Sequence, residues 1–140
     1  MNNMGEPRIK IVAMPKDTNP SGNIFGGWIM SQIDIAGALA TRDIPMIHRV
    51  VTVAVNSMSF REPIFVGDVV SYYAKIVKVG NTSIKVDVEV TSERIEDDMR
   101  RCVHVTSAIV TYVSLNHKGE KKPIECSDNY LRALDIKTDE

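Results

Sequence analysis

Residues 22–42 read GNIFGGWIMSQIDIAGALATR and decide the fold of this chain. Apolar residues occur all around this segment, which predicts a buried helix from about Gly26 to Arg42, with Pro45 just beyond it as a stop signal. The most apolar part, Ile24–Ala40, has 17 residues and includes the carboxylate of Asp34. It is therefore too short and too polar to cross a bilayer, and we predict no membrane association. A helix that is apolar on every side needs a sheet wrapped around it.

Patterns of period two on both sides of this helix predict the strands of that sheet. The predicted strands are Arg8–Ala13, Arg49–Phe60, Val69–Val79, Thr82–Thr91 and Arg101–Leu115. Gly80-Asn81 predicts a tight hairpin, and the acidic run Glu93–Asp98 is predicted to be the solvated loop before the last strand. The order of one strand, one helix and four antiparallel strands is that of the α+β hotdog fold, in which the sheet encloses the central helix.

The length of 140 residues and the absence of internal repeats favour a single domain. We assign this domain to residues 1–125. Residues 126–140 are predicted to form a C-terminal tail. In that tail Ser127 is placed to cap a short helix from Tyr130 to Leu134, the alternative being a mobile segment.

Composition and charge exclude several classes of function. Apolar residues make up 44% of the chain, which is enough to bury a core, so disorder is excluded for most of it. The 17 basic and 18 acidic residues leave a net charge of -1, so the chain lacks the basic excess that nucleic-acid binding requires. Two cysteines are too few for a disulfide framework, and no apolar leader segment is visible, so a reducing, cytoplasmic compartment is expected.

Asp34 is the only formal charge between Asp17 and Arg42. An unpaired carboxylate is costly to bury on an apolar helix. One interpretation is structural: Asp34 lies on a narrow exposed stripe or pairs with a distant cation. The other is functional: the carboxylate is held in a cleft as a base or a nucleophile.

The segment that enters the helix also has two interpretations. Asn23 serves as a capping or turn residue, and Gly26 and Gly27 give the backbone room. In the functional interpretation, the free N–H groups of the first helical turn point outward at the positive end of the helix dipole. A carbonyl oxygen that develops negative charge is stabilised at such a position.

The run from Asn23 to Met30, followed by Asp34, closely resembles the signature of the YciA-type acyl-CoA thioesterases, hotdog enzymes related to the brain-type cytosolic acyl-CoA hydrolases. Further matching segments complete the resemblance, which covers about residues 14–124. These are Val50–Phe60, Pro63-Ile64, Val66–Val70, Lys78–Val86 and Thr111–Leu115. The combination is specific to this family, although each piece alone is not.

The resemblance implies hydrolysis of acyl-CoA to a free carboxylic acid and CoA, with Asp34 and Asn23 as the active-site side chains. It also implies a homo-oligomer, a dimer at minimum and a hexamer of three dimers, with sites at the dimer interface. Spacing points the same way, because Asn23 and Asp34 lie roughly 12 to 17 Å apart if the eleven intervening steps are mostly helical. Asn23 of one subunit is therefore expected opposite Asp34 of another. The sequence does not choose between base and nucleophile for Asp34.

The hairpin residues Gly80, Asn81, Thr82 and Ser83 have a structural interpretation as an ordinary tight turn. The resemblance implies instead that they contact the pantetheine or the phosphates of CoA. No separate cofactor is expected, because CoA is part of the substrate and the product. No metal site is predicted either, since the three histidines and two cysteines share no metal-ligand spacing.

Two rival functions remain at the level of sequence. One is a hotdog dehydratase or hydratase acting on acyl thioesters, but such enzymes use a histidine near the central helix, and none lies there. The other is a non-enzymatic acyl-CoA sensor, but the chain has no room for a DNA-binding segment and no basic excess.

Overall fold

The structure is a computed structural model and describes residues 4–138. Its two helices and six strands follow the chain in the order β1, α1, β2, β3, β4, β5, α2 and β6. Their bounds are β1 Ile9–Val12, α1 Gly26–Thr41, β2 Arg49–Asn56, β3 Val69–Val79, β4 Ser83–Glu96, β5 Met99–Leu115, α2 Asp128–Ala133 and β6 Lys137–Thr138. A short 3-10 turn, Pro15–Asp17, precedes α1.

One antiparallel sheet carries the fold, with its strands in the order β1-β3-β4-β5-β2, and β6 pairs in parallel with β3. The alternation along β4 explains its orientation, because Ile84, Val86, Val88 and Val90 are fully buried while the polar residues between them are half-buried. The sheet curls around α1, which packs on its inner face. The α+β hotdog fold expected from the sequence is confirmed.

Helix α1 begins at Gly26 as predicted and ends at Thr41, with Arg42 as its C-cap. Its buried residues are Ile29, Ile33, Ala36, Gly37, Ala40 and Thr41, a spacing of three and four that forms one face. Met30, Ile35 and Leu39 are apolar but remain substantially exposed in the single chain. The helix is therefore only partly covered by its own sheet.

The hairpin between β4 and β5 corrects one expectation. The acidic run Glu93–Asp98 is not a loop, because β4 continues to Glu96 and only Asp97 and Asp98 form the turn. Both have positive φ, 52° and 61°, as a tight two-residue turn requires. Cross-strand ion pairs, Glu93 with Arg100 at 2.8 Å and Glu96 with Arg101 at 3.2 Å, keep the acidic side chains on paired strands.

Strand β2 also differs from its prediction, since it ends at Asn56 rather than Phe60. Ser57 has a φ of 59°, a left-handed conformation that a strand does not continue through. The chain then runs through a loop held by Asp68, a buried carboxylate that accepts from Ser92 at 2.8 Å and pairs with Arg94 at 3.0 Å. This loop carries Phe60 and Arg61 past the start of α1.

Near the C-terminus, Ser127 caps α2 by accepting a hydrogen bond from the backbone N–H of Tyr130 at 3.2 Å. Leu131 and Ile136 are buried in the core, so this segment packs against the sheet as far as Thr138. The division of the chain at residues 125 and 126 stays a prediction. Neither helix in the range 4–138 is long and apolar enough to span a membrane.

Candidate active site

Asp34 lies in the third turn of α1, where its side chain is half-buried. Its carboxylate oxygen Oδ1 accepts a hydrogen bond of 2.6 Å from the hydroxyl of Thr52, which reaches it from β2. A hydrogen bond to a charged acceptor is short and strong, and it fixes the direction of the carboxylate. The structure thus favours a held carboxylate over a solvated stripe residue.

Asn23 and the two glycines of the helix start occupy a different place. The turn before α1 is closed by Asn19, whose N–H donates to the Asn23 carbonyl at 2.7 Å and whose Oδ1 accepts from the Asn23 N–H at 3.2 Å. Asn23, held by these two bonds, lines a cavity of about 290 Å³. The cavity is also lined by Gly26, Phe60 and Arg61.

The first turn of α1 has open backbone donors. The N-cap residue, Phe25, makes no side-chain capping bond. Among residues 4–138, no acceptor pairs with the N–H of Gly26 or Gly27, whereas the N–H of Trp28 already donates to Phe25 at 3.1 Å. A Cβ at Gly27 would meet nothing within 4 Å, so a ligand can approach the backbone closely at that point.

The structure does not bring Asn23 and Asp34 together within one chain. Asp34 is absent from the lining of the cavity that holds Asn23 and Gly26. The helical rise from Gly26 to Asp34 alone is about 12 Å. A single thioester carbonyl therefore cannot reach both side chains of the same chain.

The hairpin residues lie at the junction of β3 and β4. The N–H of Gly80 donates to the Ser83 carbonyl, and the Thr82 carbonyl accepts from the N–H of Ser114, both at 2.8 Å. Gly80 and Asn81 line a second cavity of about 320 Å³, together with Ile124 and residues of the C-terminal segment. The turn is thus structurally anchored, and it also borders a space.

Lysines surround the same hairpin. Lys78 and Lys85 are directly opposite each other in the register of β3 and β4, and Lys137 of β6 is opposite Lys78 on the other side. With Lys75 they line a groove of about 430 Å³, to which Asp135 contributes a carboxylate. Within this groove the Lys75 ammonium pairs with the Asp135 carboxylate at 3.4 Å.

Thr52 and Tyr112 contact Asp34 but were not singled out as site residues from the sequence. Tyr112 donates its hydroxyl proton to the Asp34 backbone carbonyl at 2.6 Å. These residues lie 18 and 78 positions from Asp34 in the sequence. Both are unremarkable members of alternating strands, so no local pattern marks them, and only the tertiary structure identifies them.

A curled antiparallel sheet around one central helix is the hotdog architecture, and the fixed carboxylate on that helix is a group that suits thioester hydrolysis. The model of the Thioesterase superfamily matches residues 21–98. The acyl-CoA thioester hydrolase YciA of Salmonella typhimurium is 43% identical over 121 residues, covering 86% of this chain and 90% of that protein. This chain belongs to that superfamily and, within it, to the YciA acyl-CoA thioester hydrolases.

Solved structures agree with this assignment. A hexameric hotdog fold thioesterase of Campylobacter jejuni superposes with a TM-score of 0.85 and 54% identity, covering 95% of this chain and 98% of that chain. A hexameric broad specificity acyl-coenzyme A thioesterase superposes with a TM-score of 0.81 and 43% identity, covering 92% and 87%.

Proposed function

We propose that this chain hydrolyses acyl-CoA thioesters to a free carboxylic acid and CoA, with Asp34 as the reacting carboxylate. The observation that carries the proposal is the placement of Asp34, the one formal charge of α1, held by Thr52 at 2.6 Å. The relatives described above, which are named as thioesterases and acyl-CoA thioester hydrolases, support the same reaction. They do not favour the dehydratase or the sensor considered from the sequence.

The chemistry has two balanced routes. Acting as a base, Asp34 takes a proton from water, and the water oxygen attacks the thioester carbon. Acting as a nucleophile, Asp34 attacks that carbon itself, and water then hydrolyses the mixed anhydride. In both routes the carbon–sulfur bond breaks and CoA leaves as a thiolate, which requires no strong general acid. Neither route needs a metal or a separate cofactor.

The helix start supplies the groups that face the carbonyl oxygen. The open N–H groups of Gly26 and Gly27 polarise the thioester carbonyl and stabilise the negative charge that develops on it. Asn23, which lines the adjoining cavity, orients the water or the substrate through its side-chain amide.

This site is completed by a second copy of the chain. Asn23 and Asp34 are too far apart to meet in one protomer, so Asn23 of one protomer is placed opposite Asp34 of its partner across a two-fold axis. The exposed apolar side chains of α1, Met30, Ile35 and Leu39, support a partner packed beside the helix. We propose a dimer at minimum and a hexamer of three dimers, the assembly named for the structural neighbours.

Recognition of CoA is assigned to the β3–β4 hairpin. The backbone of Gly80 and Asn81, the Thr82 and Ser83 hydroxyls and the adjoining lysines suit the amide and phosphate oxygens of CoA. A cytoplasmic location is part of the proposal. Cys102 and Cys126 are both free thiols, which supports this location because a reducing compartment keeps thiols free.

The test is release of free CoA, measured with a thiol-trapping reagent. The wild-type protein should release CoA in large excess over its own concentration, and Asp34→Ala should lower kcat by about 100-fold or more while leaving the protein folded. Thermal unfolding of both proteins serves as the folding control. A folded Asp34→Ala protein with near wild-type turnover would contradict the proposed role, and stoichiometric binding without CoA release would favour the sensor.

A further inference from the structure

The phenol end of the Tyr112 side chain packs against the turn of α1 that carries Asp34 and Gly37. Tyr112 is fully buried on the inner face of β5, and its hydroxyl donates to the Asp34 backbone carbonyl at 2.6 Å. A Cβ added to Gly37 would lie 2.2 Å from the Tyr112 hydroxyl oxygen and 3.0 Å from its Cζ. Only glycine at position 37 therefore lets the phenol reach this turn of the helix.

The Tyr112 phenol contacts helix α1 at the backbone carbonyl of Asp34. In a regular helix the Asp34 carbonyl accepts from the N–H of Ala38. Here the Tyr112 hydroxyl donates to that carbonyl at 2.6 Å. Burial, and next the charge of Asp34, raise the pKa of the Tyr112 phenol, so it stays a hydroxyl donor. The turn that carries Asp34 is thus tied to β5.

Thr52 and Tyr112 act from neighbouring positions. They are directly opposite each other in the register of β2 and β5. Thr52 binds the carboxylate of Asp34, and Tyr112 binds its backbone. The cross-strand pair Thr52 and Tyr112 therefore holds both the carboxylate and the backbone of Asp34.

We propose that Tyr112, seated on Gly37, is a positioning residue that sets where the Asp34 carboxylate lies. This inference rests on the proposed function, in which Asp34 is the reacting group. Small displacements of a reacting group are costly: a shift of about 1 Å can lower a rate by about 100-fold. Loss of the phenol hydroxyl should therefore lower turnover without weakening substrate binding.

Tyr72 provides a matched control. It is also a fully buried tyrosine of the same sheet, on β3, but within residues 4–138 its hydroxyl has no hydrogen-bond partner. Removing an unpartnered buried hydroxyl is neutral or stabilising. Tyr72→Phe thus makes the same chemical change in a comparable environment, away from Asp34.

The experiment compares Tyr112→Phe, Tyr72→Phe and Asp34→Asn by steady-state kinetics and thermal unfolding. We expect Tyr112→Phe to lower kcat by about tenfold or more with an unchanged KM, and Tyr72→Phe to keep the wild-type kcat. If Asp34→Asn is inactive while Tyr112→Phe turns over like wild type, the positioning role is wrong and the proposed function stands. An active Asp34→Asn would overturn both.

Gly37→Ala tests the same contact from the helix side. In the wild-type background the new methyl group should displace the phenol and lower kcat. In the Tyr112→Phe background the hydrogen bond of the phenol is already absent. The double variant should therefore lower kcat no further than Gly37→Ala alone. Losses that multiply would mean that the two residues act independently and would overturn the pairing. If Gly37→Ala fails to fold, the two Tyr→Phe variants still decide the inference.

Discussion

At the scale of single residues, Thr52 is the direct partner of the Asp34 carboxylate. Its hydroxyl lies 2.6 Å from Oδ1 and comes from the adjacent strand β2 rather than from the helix. The β-branched side chain has few rotamers to choose from, so the hydroxyl is presented in a narrow range of directions. Thr52 can therefore orient the carboxylate without reacting itself.

We predict that Thr52→Val lowers kcat by about tenfold, since it keeps the shape of the side chain but removes a hydrogen bond to a charged group. Thr52→Ser keeps the hydroxyl and should retain most of the activity. Steady-state kinetics of the two variants measures this difference, and unfolding temperatures check that both are intact. Equal turnover in Thr52→Val and wild type would show that this bond has no part in catalysis.

At the scale of secondary structure elements, the sequence predicts those helices and strands whose residues follow a regular apolar period. Helix α1 was expected at Gly26–Arg42 and is found at Gly26–Thr41, because both its apolar pattern and its stop signal are local. The prediction of a solvated loop for the acidic run before β5 is wrong, because these residues belong to paired strands. Their partners, Arg100 and Arg101, lie on the next strand, and this pairing is a tertiary fact.

The candidate site divides in the same way. Asn23, Gly26 and Asp34 belong to one continuous motif, so the family resemblance identified them together. Thr52 and Tyr112 reach Asp34 only because β2 and β5 pair in a register that places them opposite each other. The pairing of β2 with β5 also shifts between Thr52 and Ala54, an irregularity that no local sequence pattern predicts.

The β3–β4 hairpin supports a prediction about substrate binding. Ser83 is half-buried at the start of β4, next to the anchored turn and two residues before Lys85, which pairs with Lys78 in the register. We predict that Ser83→Ala raises KM for acyl-CoA more than it lowers kcat, because the remote groups of CoA bind similarly in the ground and transition states.

A substrate series from acyl-CoA to acyl-pantetheine provides the control for Ser83. If Ser83 binds a part of CoA that the shorter substrate lacks, the KM ratio between variant and wild type should fall toward one along the series. A KM ratio that is raised equally for every substrate would place Ser83 on the pantetheine that all of them share. A KM ratio of one throughout would remove Ser83 from the CoA site, and a lowered unfolding temperature with unchanged kinetics would assign it to the hairpin alone.

The outer face of β4 supports a prediction about pH. Burial, and next the charge of Glu89, raise the pKa of Asp87, while Lys75 and His104 oppose the shift. A raised carboxyl pKa in the folded state means that ionising Asp87 reduces stability as pH rises through the window between its ordinary and its raised value. Asp87→Asn should therefore unfold at a higher temperature than wild type at pH 7.

The stability gain of Asp87→Asn should shrink as pH falls and vanish below the ordinary aspartate pKa of about 3.9. Asp97→Asn, at the exposed turn of the next hairpin, is a suitable control, since asparagine also accepts its positive φ of 52°. Thermal unfolding at several pH values measures both variants. A gain that is equal at low and neutral pH would exclude ionisation of Asp87 as its cause.

At the scale of the whole molecule, the single chain exposes surfaces that its own fold does not cover. Strand β2 stands at the end of the sheet order, and within residues 4–138 it pairs only with β5. Val51, Val53 and Val55 of this strand are each substantially exposed, as are the apolar residues along α1. An open strand edge beside an apolar helix face is a suitable surface for a second copy of the chain.

Subunit mixing tests whether the site is shared. In the proposed dimer each site uses Asn23 from one protomer and Asp34 from the other, so Asn23→Ala and Asp34→Ala homodimers each contain two defective sites. A mixed dimer places both substitutions in one site and leaves the other site intact. We therefore predict that mixing the two inactive proteins under conditions that exchange subunits restores part of the wild-type rate. One variant is uniformly labelled with ¹⁵N, so that native mass measurement separates mixed oligomers of the 15.6 kDa chain from the two parent forms and confirms that exchange has occurred. Because each protein alone retains its defect in every site, activity that stays absent after demonstrated exchange would place Asn23 and Asp34 in the same protomer's site or in no common site.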